Sequence, residues 1–521
     1  MKKSVRVLIV LVISSFLAGC AGQRASLPAQ SPAYWPTEGW RTSTPEEQGM
    51  DSELLAKAVD FIRDQNLKVH SLLVIRNGYI VADVYSYPFA RGSKHDVASV
   101  TKSFTSTLIG IAIDKGYIKS VKQRVLEFFP ERTVANVDVN KKAMTLKDLL
   151  TMTSGLACTS EPSEVTLSQM MASPDWVQFM LDLPMSDKPG THFVYSSGGS
   201  HLLSAIIRES TGMNELAFAQ KNLFEPLGIS DVVWPFDPQG VNNHGWGDLK
   251  LTPHDMAKLG YLYLNEGRWD GKQIVSSEWV AAATKKHVSF PGAAEDGYGY
   301  QWWWSVPSFG CGYSAVGRGG QRIFVLPDKN MVVVVTSGIG GDAGHTRLER
   351  LLRSFLIPAA KSSKLLPTNP RGVALLESAI RQAALCQSQP KPVLPLPEMA
   401  RRVSGQRYLL DANPYGLVAL SLTFPRQEEA VLRVSLVEDN QTLEVPVALN
   451  NVYRIAPGRF GLPAAAKGFW QTNNSFVLDL DEIGNINNWR IRMTFQDDRV
   501  TVSMKEMTGL ASATFGGKVQ K

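Results

Sequence analysis

The hydrophobic residues of this chain change their spacing once, and this change constrains the fold more than any other feature. Through the first two thirds of the sequence, apolar residues recur about every 3.6 positions in several segments, separated by short β-rich runs. Near the C-terminus they alternate with polar residues, as at Trp489 and Ile491, which is typical of antiparallel strands with one buried face. A proline-rich stretch lies between the two regions. The sequence therefore predicts an α/β domain over residues 45–360, a linker over 361–397 and a small all-β domain over 398–521.

The composition is that of an ordinary globular protein. Of the 521 residues, 44% are hydrophobic and 20% are charged, so the chain can bury large cores. The net charge of +6 comes without a dense basic run, which argues against a nucleic-acid partner. The sequence contains no HExxH or CxxC pattern and no glycine-rich nucleotide-binding motif. We therefore expect no metal and no organic cofactor.

The N-terminus has the parts of an export signal. Lys2, Lys3 and Arg6 form a basic region ahead of the apolar stretch Val7–Leu17, and small residues follow. The alternative is a membrane anchor, but a helix of this length spans about 16 Å, whereas the hydrocarbon of a bilayer is roughly 30 Å thick. We therefore interpret residues 1–19 as a cleaved signal peptide.

The residues at the predicted cleavage site resemble a bacterial lipobox. The segment Leu17–Cys20 reads Leu-Ala-Gly-Cys, and in a lipobox cleavage leaves the cysteine N-terminal and lipidated. The resemblance implies a cell-envelope lipoprotein held to the membrane through Cys20, and Ala21 implies the periplasmic face of the outer membrane. Residues 20–44 contain several prolines and are interpreted as a tether. The alternative is plain secretion with an unmodified Cys20.

A serine and a lysine lie where a predicted hairpin is followed by a helix. The β-rich runs Leu72–Ile75 and Tyr79–Tyr85 are joined by Asn-Gly, a strong signal for a type I′ hairpin. An apolar segment with helical spacing covers residues 97–115, and Ser99 and Lys102 fall at its start. The same signals predict helices over 54–62, 145–155, 202–207, 255–264, 277–284 and 346–356, and strands over 323–325 and 331–335.

Ser99 and Lys102 have the residue types and the spacing of a nucleophile and its base. Residues three apart share a helix face, so Lys102 Nζ can reach Ser99 Oγ. The free N–H groups at a helix start favour negative charge on the serine oxygen. The apolar residues that follow would bury the helix, and a desolvated lysine more readily stays neutral and accepts a proton. The alternative is a capping serine followed by a surface lysine, a pair that also arises by chance.

Together with two later segments, the Ser99-Val-Thr-Lys102 sequence resembles the motifs of serine β-lactamases and penicillin-binding proteins. Tyr195-Ser-Ser197 resembles the Tyr-x-Asn motif of class C β-lactamases and their esterase relatives. The stretch Gly312–Gln321 resembles the third motif, and the turn after it, in esterases and 6-aminohexanoate-dimer hydrolases of this superfamily. The resemblance implies the fold of the superfamily, in which an antiparallel sheet is flanked by helices and joined by a helical region.

The resemblance also implies roles for individual residues. Ser99 would be the nucleophile, and Lys102 and Tyr195 would move its proton, although which of the two is the resting base stays open. The backbone N–H groups of Ser99 and Ala315 would form the oxyanion hole. The other positions that the motifs place in the substrate site are Ser197, Tyr313, Ser314 and Arg318.

Two departures from the superfamily pattern bear on the substrate. Ser197 stands in place of the asparagine that helps to hold the side-chain amide of a β-lactam. The third motif, Gly312-Tyr-Ser314, lacks the lysine that meets the carboxylate of a β-lactam. Arg318 either supplies that charge from the next turn or is a surface residue that orders its loop. Both departures favour an ester or a small amide as the substrate.

These features predict an exported serine hydrolase that cleaves an ester or small amide through a Ser99 acyl-enzyme. One alternative is a true β-lactamase or D-Ala-D-Ala peptidase, and the other is a non-catalytic cell-envelope lipoprotein that uses the fold for binding.

The all-β domain resembles the lipocalin-like appendages of some of these hydrolases. Cys158 and Cys311 are either paired in the oxidising envelope or two free thiols. The tryptophans at 302–304 line an acyl pocket or belong to the core.

Overall fold

The structure, a computed structural model, describes residues 34–159, 164–290, 293–305, 312–386, 388–436, 442–509 and 511–520. The predictions for the signal peptide and for Cys20 lie outside these residues, as does Cys311 of the predicted cysteine pair. In the part of the chain that is described, no helix is long and apolar enough to span a membrane.

In the described part of the first two thirds of the chain, the strands form one large sheet and two small ribbons. In chain order they are β1 (Arg41–Thr42), β2 (Val69–Arg76), β3 (Tyr79–Tyr85), β4 (His95–Asp96), β5 (Lys250–Leu251), β6 (Arg268–Trp269), β7 (Lys272–Gln273), β8 (Val288–Phe290), β9 (Ala293–Tyr298), β10 (Trp303–Ser305), β11 (Gly312–Gly317), β12 (Gln321–Leu326) and β13 (Met331–Ser337). Among the described residues, the large sheet has the order β1-β3-β2-β13-β12-β11-β10-β9-β8. Its pairs are antiparallel except β1 with β3.

Helices cover both faces of this sheet and continue beyond it. In chain order the α-helices are α1 (Ser52–Asp64), α2 (Thr101–Asp114), α3 (Val139–Ala143), α4 (Leu146–Leu150), α5 (Val165–Met171), α6 (Trp176–Asp182), α7 (Ser197–Thr211), α8 (Glu215–Ala219), α9 (Glu225–Leu227), α10 (Pro253–Leu264), α11 (Ser277–Ala283), α12 (Gly341–Leu351), α13 (Ile357–Ala359), α14 (Pro370–Ala383) and α15 (Glu398–Val403). This arrangement confirms the predicted fold class of a sheet flanked by helices.

The central strand β13 separates two hydrophobic cores, and all its residues are buried. Met331, Val333 and Val335 lie in the core shared with α1, α12 and α14. Val332 and Val334 lie in the core shared with α2, α7 and α10. Alternate side chains of a strand point to opposite faces, so a continuous apolar run is what a strand covered on both faces requires.

Local sequence signals agree with the structure at the hairpin and differ at one helix end. Asn77 and Gly78 join β2 to β3 with φ angles of 52° and 83°, and positive φ at both positions defines the type I′ turn. Helix α4 begins with the capping box of Thr145 and Asp148. It ends at Leu150 rather than continuing to residue 155, because the chain turns at Met152, whose φ is 58°.

The C-terminal strands form a second sheet that closes into a barrel. They are β14 (Arg407–Leu410), β15 (Leu417–Arg426), β16 (Glu429–Leu436), β17 (Thr442–Ala448), β18 (Arg454–Pro457), β19 (Pro463–Thr472), β20 (Ser475–Asp481), β21 (Asn488–Gln496), β22 (Arg499–Glu506) and β23 (Ser512–Val519). Within the described residues, the sheet runs β17-β16-β15-β14-β23-β22-β21-β20-β19-β18, and a pairing of β17 with β19 closes it. Ile491, Met493 and Phe495 face its buried interior, which confirms the predicted period of two.

The barrel is joined to the first sheet by direct contacts as well as by the chain. The loop between β20 and β21 (residues 482–487) reaches the α/β region, where Ile483 is only 2% exposed and belongs to its core. The backbone N–H of Asp96 donates a hydrogen bond to the Gly484 carbonyl oxygen. A side chain at Gly484 would collide with the Lys94 carbonyl oxygen, and its φ of 80° also favours glycine. The loop therefore packs backbone against backbone just ahead of Ser99.

A fully buried carboxyl group, Glu215, makes the stability of the fold depend on pH. Burial raises the pKa of Glu215 to about 8, and the hydroxyls of Thr105 and Ser204 oppose this shift only in part. The folded protein thus keeps a proton that the unfolded chain releases near pH 4.5. The stability that this proton contributes is full below that pH and is lost as the pH rises through about 8.

We expect Glu215→Gln to remove this dependence. The variant should be more stable than the wild type at pH 9 by several kcal/mol, and the difference should shrink as the pH falls to 5. Urea denaturation midpoints measured at both pH values test this expectation. His201, whose pKa burial lowers to about 3, is common to both proteins and cancels in the comparison. If the stability difference between the two proteins does not change with pH, the raised pKa of Glu215 is contradicted.

Candidate active site

Ser99 lies in a tight turn between β4 and α2. The turn is a single 3₁₀ segment, Ala98–Val100, and α2 continues directly from it. Ala98 adopts a φ of 47°, in the left-handed region, and its N–H donates to Asp96 Oδ1 at 2.8 Å. This conformation turns the chain sharply, so that Ser99 remains half-buried while the residues after it enter the core.

Lys102 is the central side chain of the site. It is only 1% exposed, and its Nζ lies 2.9 Å from Ser99 Oγ, 3.1 Å from Ser197 Oγ and 2.9 Å from the Trp246 carbonyl oxygen. The predicted spacing along the helix face therefore brings Lys102 to Ser99. A lysine enclosed in this way is held in one place and is close enough to exchange a proton with Ser99.

Tyr195 and Ser197 enter the site from the start of α7. Ser196 caps this helix by accepting the Gly199 N–H on its Oγ, which fixes the residues on either side of it. The Tyr195 ring centroid lies 4.9 Å from Lys102 Nζ. The structure therefore brings together Ser99, Lys102, Tyr195 and Ser197, as the motifs predict.

Strand β11 forms the wall beside Ser99. Gly317 lies so close to the chain before Ser99 that a Cβ there would be 2.6 Å from the Val97 carbonyl oxygen. Ala315, the second predicted oxyanion donor, is fully buried in the middle of the same strand. Ser314 is buried and pairs with Trp303 of β10. The positions of Ala315 and Ser314 are compatible with their predicted roles, which stay predictions.

Two residues predicted to bind substrate have other partners in the structure. Tyr313 packs against Trp302 and Tyr263, and its hydroxyl donates to the Tyr263 carbonyl oxygen at 3.2 Å. We correct its assignment: the side chain belongs to the core, because alternation along β11 turns it away from the face of Ser314. Arg318 donates to Asn487 Oδ1 at 3.1 Å, so its guanidinium group contacts the barrel.

The three tryptophans at 302–304 differ in environment. Trp302 is completely buried and belongs to the core. Trp303 is half-buried, and its ring centroid lies 6.1 Å from that of Tyr195. Tyr298 and Phe290 also pack against Trp303, at 5.1 and 5.5 Å. An apolar aromatic surface therefore lies beside Tyr195.

One carboxylate of the site was not predicted from the sequence. Glu164, directly ahead of α5, accepts the Ser197 N–H on Oε1 and the Ser197 hydroxyl on Oε2, both at 2.7 Å. No spacing rule connects it to the SxxK or Tyr-x-Ser motifs, since it approaches from a separate loop. Only the three-dimensional structure identifies it.

The segment just ahead of Ser99 contains a carboxyl group with an altered pKa, that of Asp96. Burial raises the pKa of Asp96 to about 6, and the Asp248 carboxylate adds to this effect. Lys250, whose Nζ is 3.8 Å from Asp96 Oδ2, opposes it.

Across the described residues, no cluster of three or more His, Cys, Asp or Glu side chains could hold a metal ion.

The chain is similar to one known protein family and to several known proteins. The family model described as Beta-lactamase matches residues 48–355. The 6-aminohexanoate-dimer hydrolase of Paenarthrobacter ureafaciens is 26% identical over 285 residues, which are 51% of this chain and 72% of that enzyme. The lovastatin esterase of Penicillium rubens is 33% identical over 136 residues, 25% of this chain and 33% of the esterase. A solved structure from Bacillus anthracis, assigned as a 6-aminohexanoate-dimer hydrolase, has a TM-score of 0.51 at 22% identity and covers 59% of this chain and 82% of its own.

The family match spans more than half of the chain, and the solved structure supports the fold. The chain therefore belongs to the beta-lactamase family, whose members are serine hydrolases.

Proposed function

We propose that this protein is an exported hydrolase that cleaves esters or small amides with apolar acyl groups through an acyl-enzyme on Ser99. The observation that carries the proposal is the position of the enclosed Lys102 Nζ, 2.9 Å from Ser99 Oγ. A scaffold that only binds its ligand needs neither side chain. A hydrolase that uses a serine and a lysine needs both within proton-transfer distance.

The reaction begins when Ser99 Oγ attacks the carbonyl carbon and gives its proton to Lys102 Nζ. Backbone N–H groups of Ser99 and Ala315 donate hydrogen bonds to the developing oxyanion, which stabilises it by about 3 kcal/mol for each donor. Collapse of this intermediate breaks the bond to the leaving group, which takes a proton through Lys102 or Tyr195. Water then attacks the acyl carbon and gives its proton to Lys102 or Tyr195. The bond to Ser99 Oγ breaks, the acid leaves, and the proton returns to Ser99.

The preference for a neutral substrate rests on the charges of the site. The third motif lacks the lysine that would pair with a substrate carboxylate, and Arg318 contacts Asn487 of the barrel. Glu164 adds a carboxylate near Ser197. An anionic substrate would meet repulsion here. The aromatic surface around Trp303 is suited to an apolar acyl group.

The direct test is labelling with a fluorophosphonate probe, followed by turnover of a p-nitrophenyl ester, a matched anilide, nitrocefin and an acyl-D-Ala-D-Ala peptide. We expect labelling at Ser99 and the highest kcat/KM on the ester. A preference for nitrocefin or for the peptide would favour the β-lactamase or peptidase alternative. Absence of labelling and of turnover would favour a non-catalytic binding protein.

The proposed location in the cell envelope depends on Cys20. We expect the mature protein to begin at this residue with acyl chains attached, and Cys20→Ala to release the protein from membranes. Mass spectrometry of the purified protein and membrane fractionation test both points. Cys386→Ala, which changes a free thiol of the described residues, serves as the control and should stay membrane-bound. Unacylated wild-type protein beginning elsewhere would refute lipidation.

A further inference from the structure

A continuous chain of hydrogen bonds connects Glu164 to the nucleophile. Glu164 Oε2 accepts the Ser197 hydroxyl at 2.7 Å, Ser197 Oγ lies 3.1 Å from Lys102 Nζ, and this nitrogen lies 2.9 Å from Ser99 Oγ. The other carboxylate oxygen of Glu164 accepts the backbone N–H of Ser197 at 2.7 Å. Both oxygens of Glu164 are thus directed at the one residue that separates it from Lys102.

When Glu164 is ionised and Lys102 is neutral, the state in which Lys102 can act as a base, the donors and acceptors in this chain follow from chemistry. A carboxylate accepts hydrogen bonds and donates none, so the Ser197 hydroxyl must donate to Glu164. The Ser197 oxygen is then left to accept from Lys102, and the Trp246 carbonyl oxygen can only accept as well. A neutral lysine amine has two N–H groups and one lone pair. With the two N–H groups directed to Ser197 and Trp246, the lone pair faces Ser99.

We propose that Glu164 is a positioning residue that sets the direction of this chain and so keeps the Lys102 lone pair aimed at the Ser99 hydroxyl. The inference rests on the proposed function. In the step that it supports, the bond from Ser99 Oγ to the substrate carbonyl carbon forms while the hydroxyl proton moves to Lys102 Nζ. Glu164 itself neither gains nor loses a proton.

Glu164→Gln should reverse the chain. The backbone N–H of Ser197 can only donate, so the amide oxygen of the glutamine must face it, and the amide NH₂ then faces Ser197 Oγ. This NH₂ donates to the serine oxygen, the serine hydroxyl turns toward Lys102, and the lysine lone pair is occupied there. Glu164→Ala leaves the hydroxyl free to take either direction.

The glutamine variant should therefore be worse than the alanine variant, although it is closer to the wild type in shape. We expect the acylation rate constant to fall about 100-fold in Glu164→Gln and about tenfold in Glu164→Ala, with little change in KM, because a misdirected base loses most of its contribution. A role limited to holding the start of α7 predicts the opposite order. Burst kinetics on a p-nitrophenyl ester measure the rate constants, and circular dichroism melts establish that each variant is folded.

Removing the Ser197 hydroxyl isolates the cause. In a Ser197→Ala background, Glu164→Gln should acylate faster than it does with Ser197 present, and as fast as Glu164→Ala in the same background. The comparison between this double variant and Glu164→Gln alone can be made even if Glu164→Ala does not fold. Asp51→Asn, which alters a carboxylate that caps α1, is the matched control and should leave the burst unchanged.

The proposal is overturned if Glu164→Gln acylates as fast as Glu164→Ala. It is also overturned if the double variant Ser197→Ala with Glu164→Gln acylates no faster than Glu164→Gln alone. Failure of the wild type to become labelled at Ser99 would instead refute the proposed function. The two failures are therefore distinguishable.

Discussion

Ser99→Ala should abolish ester hydrolysis without unfolding the protein. If Ser99 is the nucleophile, as we propose, the substitution removes the atom that forms the acyl bond, and we expect kcat/KM to fall by about 10⁴-fold or more. Ser99 is half-buried and is not a helix cap, and its Oγ hydrogen-bonds to Lys102 Nζ, so we expect its loss to cost about 1 kcal/mol of stability. The measurement is turnover of a p-nitrophenyl ester alongside a thermal melt.

Ser276→Ala provides the matched control. Ser276 caps α11 by accepting the Trp279 N–H on its Oγ, so its loss costs stability of about 1 kcal/mol and leaves the chemistry untouched. Its activity for each folded molecule should equal that of the wild type. Near-normal turnover in Ser99→Ala would end the assignment of Ser99 as the nucleophile.

Lys102→Arg should be as inactive in acylation as Lys102→Ala. Arginine keeps a positive charge but cannot release its proton at accessible pH, and it is bulkier in a position that is 1% exposed. If Lys102 acts as a base, both variants lose proton transfer, and we expect the burst rate constant to fall about 10³-fold in each. The measurement is burst kinetics on an ester and a matching anilide.

Lys141 is the control for replacing a buried lysine. It is completely buried and donates to the Ala135 and Leu181 carbonyl oxygens, away from Ser99. Lys141→Ala should lower the melting temperature but keep the burst rate of the protein that remains folded. Should Lys102→Arg acylate at the wild-type rate, Lys102 is a fixed charge and the assignment as a base is wrong.

The sequence was sufficient wherever one local signal decides the outcome. The Asn-Gly pair after β2 requires positive φ angles that few other residues adopt, and the turn formed there has both. The separation of Ser99 and Lys102 follows from the helix period alone. The alternating pattern of β21 requires a sheet with one buried face, and the barrel provides it.

Features that depend on separate segments meeting in space were not predictable. Glu164 reaches Ser197 from a loop with no characteristic motif, and the Trp246 carbonyl oxygen reaches Lys102 without any contribution from its side chain. Tyr313 was misassigned because a motif gives a position along a strand but not the face that a side chain takes. These contacts are set by tertiary packing, which propensity and periodicity do not encode.

The loop at residues 482–487 makes the barrel and the hydrolase poor candidates for independent modules. Ile483 fills part of the hydrolase core, and Gly484 bonds to the segment that leads into Ser99. A chain cut at the proline-rich segment would lose Ile483 and leave apolar residues of this core open to water close to Ser99, and such a surface favours aggregation. Because this loop contacts the segment ahead of Ser99, changes in the barrel can shift that segment. Under the proposed function, we expect a substitution in this loop to alter turnover without touching the substrate site.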